Sequence, residues 1–122
     1  MPQKISKLNS KLTKVFNAYI RRRDAGKLCI SCGKRPMTQA GHYFPTSSTP
    51  QPSMRFNEHN VNGQCSYCNK WLHGNQHGYA EGLIRKYGSY IIDELNLQKS
   101  FKQNPWTPFE YEVLIKYYKD KK

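Results

Sequence analysis

The sequence predicts a small α+β domain, in which two short strands and a helix lie at the centre and further helices lie at both ends. Three observations support this prediction. Apolar residues recur at helical spacing near the N-terminus, two Cys-x-x-Cys pairs enclose the centre, and a helix start signal lies near the C-terminus. The 122 residues suit one domain, divided into a basic N-terminal helix (1–26), a central core (27–78) and C-terminal helices (79–122).

The N-terminal segment has the pattern of an amphipathic helix, with apolar residues at three- and four-residue steps and lysines along another face. The helix should include Arg21, Arg22 and Arg23 and stop near Gly26. Three cations at the negative end of a helix are stabilised by its dipole, and they also suit the binding of phosphate groups. Both interpretations stay open. The apolar residues are Ile5, Leu8, Leu12, Val15, Phe16 and Tyr19, and the lysines are Lys4, Lys7, Lys11 and Lys14.

Four cysteines form two Cys-x-x-Cys pairs, Cys29 with Cys32 and Cys65 with Cys68, about thirty residues apart. This spacing is typical of a closed tetrahedral zinc site, which is structural because no coordination position stays open. Two disulfides are the alternative. They are disfavoured because the chain begins without an apolar leading segment, so we expect a cytoplasmic location in which thiols stay reduced. A redox Cys-x-x-Cys pair would not account for two such pairs.

Two short strands are predicted between the cysteine pairs, at residues 39–44 and at roughly residues 54–61. The intervening residues 45–53 include three prolines, which forbid regular pairing and indicate a loop. After the second cysteine pair, residues 69–73 could begin a helix that Gly74 and Gly78 interrupt.

Three helices are predicted in the C-terminal part. The first covers roughly residues 79–87 and ends at Gly88, and Ser89 is the expected cap of a second that runs to about Lys102. The third should cover about residues 108–119, because Thr107, Pro108 and Glu110 provide an N-cap, a proline at the first helical position and a capping box. Its predicted packing stripe consists of Phe109, Val113, Leu114 and Tyr117.

The chain is strongly basic, with 20 Lys and Arg residues against 8 acidic residues, a formal net charge of +12 and a pI near 9.7. This excess is larger than solubility requires, so a polyanionic partner is predicted. Nucleic acid is the first candidate and an anionic membrane surface the second, although no segment is long and apolar enough to cross a membrane. A merely solvated basic surface is the plain alternative.

Three polar residues lie between the cysteine pairs or directly after the second pair, in an order that suggests a catalytic site. His42 lies on the first predicted strand, Asn60 near the end of the second, and Asn69 directly after Cys68. Hydrolysis of a phosphodiester needs a base that activates water, a divalent ion that neutralises charge, and a group that holds the base in one tautomer. A histidine, a metal ligand on a helix and a bracing asparagine suit these tasks. The order of elements is that of a ββα-metal nuclease site.

These residues resemble the motif of the HNH, or His-Me finger, endonucleases. In that family the middle asparagine lies five residues before a Cys-x-x-Cys pair, and the third motif residue directly follows the pair, as Asn60 and Asn69 do here. The resemblance implies a ββα-metal core in which His42 is the general base, Asn60 braces the loop that positions His42, and Asn69 is a ligand of catalytic Mg²⁺ or Mn²⁺.

Gly41 departs from the pattern of that family, because many members carry an acid or a histidine there as a second metal ligand. His73 is the best substitute, since it lies four residues after Asn69 and would share its face on a continuous helix. His59 and His77 are weaker candidates.

Each member of the motif also has a structural interpretation: His42 as a hydrogen-bonded interior histidine, Asn60 as a turn residue and Asn69 as a helix cap.

Arg55 and Lys70 are predicted to contact DNA phosphates together with Arg21, Arg22 and Arg23, and plain surface charge is their alternative. Trp71 and Trp106 could stack on unpaired bases, although large aromatic residues in a small domain usually lie in the core.

Longer strings resemble the NinG/Rap family of bacteriophage recombination proteins, from about residue 20 to residue 88 and compatibly through the C-terminal basic helix. The resemblance implies a structure-selective endonuclease that cleaves branched DNA, notably Holliday junctions and D-loops, in the cytoplasm of the bacterial host. The strings are Ile20-Arg21-Arg22-Arg23-Asp24, Cys29-Ile30-Ser31-Cys32-Gly33, Ala40-Gly41-His42-Tyr43, Arg55-Phe56, Asn60, Gln64-Cys65, Cys68-Asn69, Gly74-Asn75 and Gly82-Leu83-Ile84.

A homodimer is expected, because a four-way junction has approximate two-fold symmetry and needs two paired cuts. Other recombination proteins are further expected partners. Three alternatives to the junction nuclease stay open: a non-catalytic zinc module that binds DNA and recruits partners, a general HNH nicking endonuclease, and an RNA-binding zinc ribbon.

Overall fold

In the computed structural model, which describes residues 2–46, 51–101 and 105–122, a two-stranded sheet lies among α-helices and one π-helix. This arrangement confirms the predicted α+β class. In chain order the elements are α1 (Pro2–Arg23), β1 (Gln39–His42), α2 (Pro52–Arg55), β2 (Val61–Gln64), the π-helix (Tyr67–Trp71), α3 (Gln76–Tyr87), α4 (Ile91–Ser100) and α5 (Pro108–Asp120).

The sheet pairs β1 with β2 in antiparallel register, with Gln39 opposite Gln64 and His42 opposite Val61. Because side chains alternate between the two faces, Ala40 and Val61 lie on the face that packs against α1. Gln39 and Gln64 lie on the other face. Every residue of β2 is buried, whereas β1 is partly exposed along its free edge.

The larger hydrophobic core lies between α1 and α5, and the predicted apolar stripe of α1 faces it. Leu12, Phe16 and Ile20 have no exposed surface. The ring of Phe16 contacts Tyr118 edge-on at a centroid distance of 4.8 Å and Phe56 at 5.6 Å. Burying each such side chain contributes about 1.5–3 kcal/mol. The core therefore holds α1 firmly beside β1 and the residues that follow it.

A second core joins α3 and α4 through Tyr79, Leu83, Ile91 and Leu95, all fully buried. Helix α3 also approaches the first cysteine pair closely, since a Cβ on Gly82 would lie 1.8 Å from the carbonyl oxygen of Ile30. Only glycine fits at this contact.

The second strand was predicted too early in the chain. Instead of a strand over 54–61, the structure has the short helix α2 with Pro52 in its first turn, followed by turns, and β2 begins only at Val61. Alternating buried residues Met54 and Phe56 mimic a strand pattern. The first strand is also shorter than predicted. The N–H of Phe44 donates to the side-chain Oδ1 of Asn60 and not to the backbone of a neighbouring strand. Residues 47–50 of the predicted loop lie outside the described part.

The helix predicted after the second cysteine pair is instead the π-helix, which ends before His73. His73 and Gly74 have φ angles of 49° and 90°, in the left-handed region that stops a helix. Gly78 lies within α3 and does not interrupt it.

Helix α4 begins after Tyr90, without a side-chain cap, so the predicted Ser89 cap is wrong. The helix ends at Ser100, and Lys102, the predicted last residue, lies outside the described residues.

Helix α5 begins with the predicted capping box at Thr107 and Glu110. The predicted packing stripe is mostly wrong, because Phe109, Val113 and Tyr117 are 72%, 49% and 50% exposed. Tyr111 and Tyr118 pack on α1 instead.

Candidate functional site

The four cysteine thiols lie at one point, as the spacing of the pairs predicts. All four Sγ atoms are within 4.8 Å of one another, and those of Cys32 and Cys65 are 4.0 Å apart. A tetrahedral site with Zn–S bonds of about 2.3 Å has sulfur–sulfur edges of about 3.8 Å. The geometry therefore fits a single closed zinc site of four thiolates. Such a site holds the turn around Cys29 and Cys32, called the first knuckle, against the turn around Cys65 and Cys68, called the second knuckle.

Backbone turns shape both knuckles around the thiols. The N–H of Gly33 donates to the carbonyl of Cys29 at 2.9 Å, and Gly33 adopts a φ of 64°. In the second knuckle the N–H of Cys68 donates to Sγ of Cys65 at 3.4 Å, and the Asn75 side chain donates to Sγ of Cys68 at 3.6 Å. Such donors favour the charged thiolate form that a metal requires.

A separate cavity of about 370 Å³ opens at the free edge of β1, between α1 and the segment that follows the second knuckle. Most of the predicted motif residues line it. His42 comes from β1, Arg55 from α2, and Asn69 and His73 from the π-helix region. Thr13 and Asn17 of α1 form the opposite wall. The fold thus brings together residues from four separate parts of the chain.

His42 is held in one orientation by a backbone carbonyl. Its Nε2 lies 3.0 Å from the carbonyl oxygen of Arg55. A carbonyl only accepts, so Nε2 carries the proton and Nδ1 carries the lone pair, which has no hydrogen-bond partner among the described residues. Burial lowers the pKa of His42, and the nearby Arg55 charge adds to this effect although the carbonyl opposes it. The neutral ring at pH 7 is therefore suited to accept a proton.

Asn60 is fully buried and ties together the two segments that position His42. Its Oδ1 accepts from the N–H of Phe44 at 2.9 Å, and its Nδ2 donates to the carbonyls of Phe44 at 3.2 Å and Met54 at 3.0 Å. Phe44 lies two residues after His42, and Met54 directly precedes the residue whose carbonyl His42 contacts. The asparagine braces this loop and does not line the cavity.

Asn69 lines the cavity, and a hydrogen bond fixes its side-chain amide. Its Nδ2 donates a hydrogen bond to Oε1 of Gln39 at 2.8 Å, which orients the amide. This leaves Oδ1 as the atom that could coordinate a metal. His73 lines the same cavity although the expected continuous helix is absent. Amide oxygen and imidazole are metal ligands, and among the described lining residues no carboxylate joins them. This donor set fits a divalent ion only when a substrate phosphate completes the coordination.

Gly41 is glycine for a steric reason. A Cβ at this position would lie 1.7 Å from Oε1 of the buried Gln64 side chain, whose Nε2 donates to Ser31 and to the carbonyl of Gly74 at 2.8 Å each. The Tyr79 hydroxyl donates to the Gly41 carbonyl at 2.6 Å. The space that a side chain before the base would need is therefore filled.

The weaker histidine candidates lie elsewhere. The His59 ring packs on Tyr87 at a centroid distance of 4.8 Å, and His77 pairs with Glu81 at 3.1 Å on the surface. Neither residue lines the cavity.

The five predicted DNA-binding residues have different environments. Arg21 and Lys70 are exposed, and Arg55 lines the cavity with its Nε buried and unpaired among the described residues. Arg22 donates to the carbonyls of Tyr118 and Lys121 at the end of α5. Arg23 points into the protein, so it is unavailable to a phosphate in this conformation.

A buried ionic cluster engages Arg23, and sequence reasoning missed it. Asp24, 2% exposed, accepts two hydrogen bonds from Arg23 at 2.9 Å and one from Lys86 at 3.0 Å. It also accepts from the N–H of Gly63 at 2.8 Å, and Asn62 Oδ1 accepts from both cations. The single acid after three arginines was the available signal. The cluster locks the end of α1 onto β2.

The two tryptophans differ. Trp106 stacks on Phe56 at a centroid distance of 5.8 Å, whereas Trp71 is 75% exposed at the end of the π-helix.

Among the described residues, no helix has the length and apolar character needed to span a bilayer.

Comparisons with known proteins place the chain in a family. The family model described as Bacteriophage Lambda NinG protein matches residues 3–122. Protein ninG of Escherichia phage lambda and protein ninG of Salmonella phage P22 are each 38% identical over 107 residues, which is 86% of this chain. The chain spans about half the length of these relatives, 50% and 51%. No solved structure matches it. With a family model that covers nearly the whole sequence, the chain belongs to the bacteriophage NinG family.

Proposed function

We propose that this chain is a metal-dependent DNA endonuclease of the HNH type that cleaves branched DNA, such as Holliday junctions and D-loops, during phage recombination. One observation carries the proposal. The cavity is lined by a histidine whose Nδ1 carries the lone pair, by an asparagine amide that a hydrogen bond orients, by a second imidazole and by an arginine. This is the set of groups that phosphodiester hydrolysis needs.

In the proposed reaction, Nδ1 of His42 takes a proton from water while Nε2–H stays bonded to the Arg55 carbonyl. The resulting hydroxide attacks the phosphorus in line, the bond to the 3′ oxygen breaks, and that oxygen leaves with a proton from solvent water. Asn60 keeps that carbonyl and the His42 backbone in register. The guanidinium of Arg55, which lines the cavity, donates to a non-bridging oxygen of the scissile phosphate.

Asn69 and His73 would hold Mg²⁺ or Mn²⁺ together with the phosphate. Such an ion, when bound, neutralises charge on the phosphate and the departing 3′ oxygen. Because both protein ligands are neutral, we expect weak metal binding by the free protein and tighter binding in the presence of DNA.

A basic groove along α1 supports DNA as the partner. Lys11, Lys14 and Arg21 line a surface groove that shares Thr13 and Asn17 with the site cavity. A DNA strand that enters the cavity would therefore continue along cations of α1, which bind phosphates without reading sequence. The net charge of +12 agrees with this partner.

We further propose a homodimer, joined through the exposed stripe of Phe109, Val113 and Tyr117 on α5. The start of this helix is acidic and its end is basic, so two antiparallel copies would bring opposite charges together. Light scattering should give the mass of two chains. Val113→Glu, which places a charge on the stripe, should give the mass of one.

The first experiment incubates a labelled four-way junction and a matched linear duplex with the protein and Mg²⁺, Mn²⁺ or no added divalent ion. Wild-type protein should cut the junction only with metal, and His42→Ala should bind it without cutting. His77→Ala is the matched control, because His77 is exposed and outside the cavity.

Equal loss of binding in a folded His42→Ala variant would refute the role of His42. Tight junction binding with no cutting under any ion would favour a non-catalytic recruitment module, which the absence of a carboxylate among the described cavity residues also favours. Equal cutting of the duplex would indicate a general nicking enzyme, and preference for structured RNA would indicate an RNA-binding zinc ribbon.

A further inference from the structure

The π-helix carries a patch of exposed aromatic, aliphatic and basic side chains beside the candidate site. Trp71 is 75% exposed, Tyr67 44% and Leu72 42%. Lys70 is exposed between them, and the Arg35 guanidinium lies 4.5 Å from the centre of the Tyr67 ring. We call these five residues the tryptophan patch.

The patch adjoins the second cysteine pair and lies close to the cavity. Tyr67 lies between Cys65 and Cys68, and the N–H of Leu72 donates to the Tyr67 carbonyl at 3.1 Å, which closes the turn. Tyr67 and Trp71 are one helical turn apart and share a face. Trp71 follows Asn69 by two residues, so their Cα atoms are at most about 7 Å apart.

Exposed aromatic rings interleaved with cations are suited to unpaired nucleobases. Every base has a flat π-face that stacks on tryptophan or tyrosine, and arginine stacks in the same way, while lysine pairs with the backbone phosphate. In a paired duplex these base faces are hidden within the stack, so such a surface distinguishes unpaired from paired DNA.

We propose that the tryptophan patch is a stacking platform for unpaired bases of single-stranded or branched DNA, with Trp71 as its principal residue. As a source of branch selectivity, this inference rests on the proposed nuclease function. Base binding itself does not depend on cleavage. The platform holds a base that has left the duplex, and the neighbouring phosphate then reaches the cavity at Asn69.

The test uses Trp71 as its own reporter. The chain has two tryptophans, so Trp106→Phe leaves Trp71 as the single tryptophan, whose emission is followed with excitation that tyrosine does not absorb. Without added divalent metal, single-stranded oligothymidylate should quench its emission saturably, and a blunt-ended duplex with strands of equal length should quench it much less. Binding is followed in parallel by the anisotropy of labelled oligothymidylate.

Substitutions then separate stacking from charge. In the otherwise native chain, Trp71→Ala should weaken oligothymidylate binding by about 5- to 100-fold, whereas Trp71→Phe should retain most of it. Phe101→Ala is the matched control, because it removes another exposed aromatic, 53% exposed, at the end of α4. Its affinity should equal that of the wild type.

If anisotropy shows that oligothymidylate is bound while the emission of Trp71 is not quenched, the platform is refuted. An affinity of Trp71→Ala for oligothymidylate equal to that of the wild type would also refute it. Quenching without junction cleavage under any ion would support the platform and reject the nuclease. Junction cleavage with undiminished selectivity in Trp71→Ala would support the nuclease and reject the platform.

Discussion

Replacing Asn60 by alanine should reduce cleavage far more than DNA binding. The change removes three hydrogen bonds, from the N–H of Phe44 and to the carbonyls of Phe44 and Met54. At roughly 1 kcal/mol each, the loss of unfolding free energy is about 3 kcal/mol, so a domain of typical stability stays folded at low temperature. The carbonyl that orients His42 loses its brace. A displacement of about 1 Å at the base costs about 100-fold in rate.

The assay compares junction cleavage under single-turnover conditions with junction affinity and with urea unfolding. Asn62→Ala is the matched control, because Asn62 is equally buried but its Oδ1 bonds to Arg23, Lys86 and Tyr87. It should lose at least as much stability while its folded fraction cleaves within about threefold of wild type. Equal loss of rate in both variants would refute a specific bracing role for Asn60, since general destabilisation would then account for the effect.

Three further predictions concern the ionic cluster, the zinc site and the pH dependence. Although burial opposes ionisation, hydrogen bonds from Arg23 and from the backbone hold the pKa of Asp24 well below its usual range, so its contribution is present above about pH 4 and is lost as pH falls. Asp24→Asn leaves Arg23 and Lys86 without their counter-charge and should cost about 3–5 kcal/mol in urea unfolding, and a loss below 1 kcal/mol would contradict the buried cluster. Cys65→Ala, or removal of zinc by a strong chelator, should abolish the cooperative melting of the central region, as followed by circular dichroism, and an unchanged Tm would argue against a structural metal. Because burial lowers the pKa of His42 from 6.5, the cleavage rate should rise with pH with its half-maximum below pH 6.5, and a half-maximum above pH 7 would show that another group is the base.

The predictable parts of the fold depend on interactions between residues that are near in sequence. The long apolar stripe of α1, the capping box of α5 and the two cysteine pairs have strong local signals, and the structure contains all three. The second strand was misplaced because Met54 and Phe56 alternate like strand residues, whereas they are buried in two different cores. The exposed stripe of α5 was misassigned for a similar reason, because periodicity does not say which helix face meets α1.

The sequence by itself determined that four cysteines suit one zinc, and it predicted an anionic partner from the net charge and an HNH-like site from the order of His42, Asn60 and Asn69. Only the tertiary structure decided how these residues meet. In the structure the guanidinium of Arg23 is paired with the buried Asp24, which removes Arg23 from the DNA-binding candidates. The Gln64 side chain occupies the space beside Gly41, and Trp71 is exposed close to the cavity. The physical reason is that spacing records which groups are available, whereas burial and hydrogen bonding across distant segments decide which of them remain free to act.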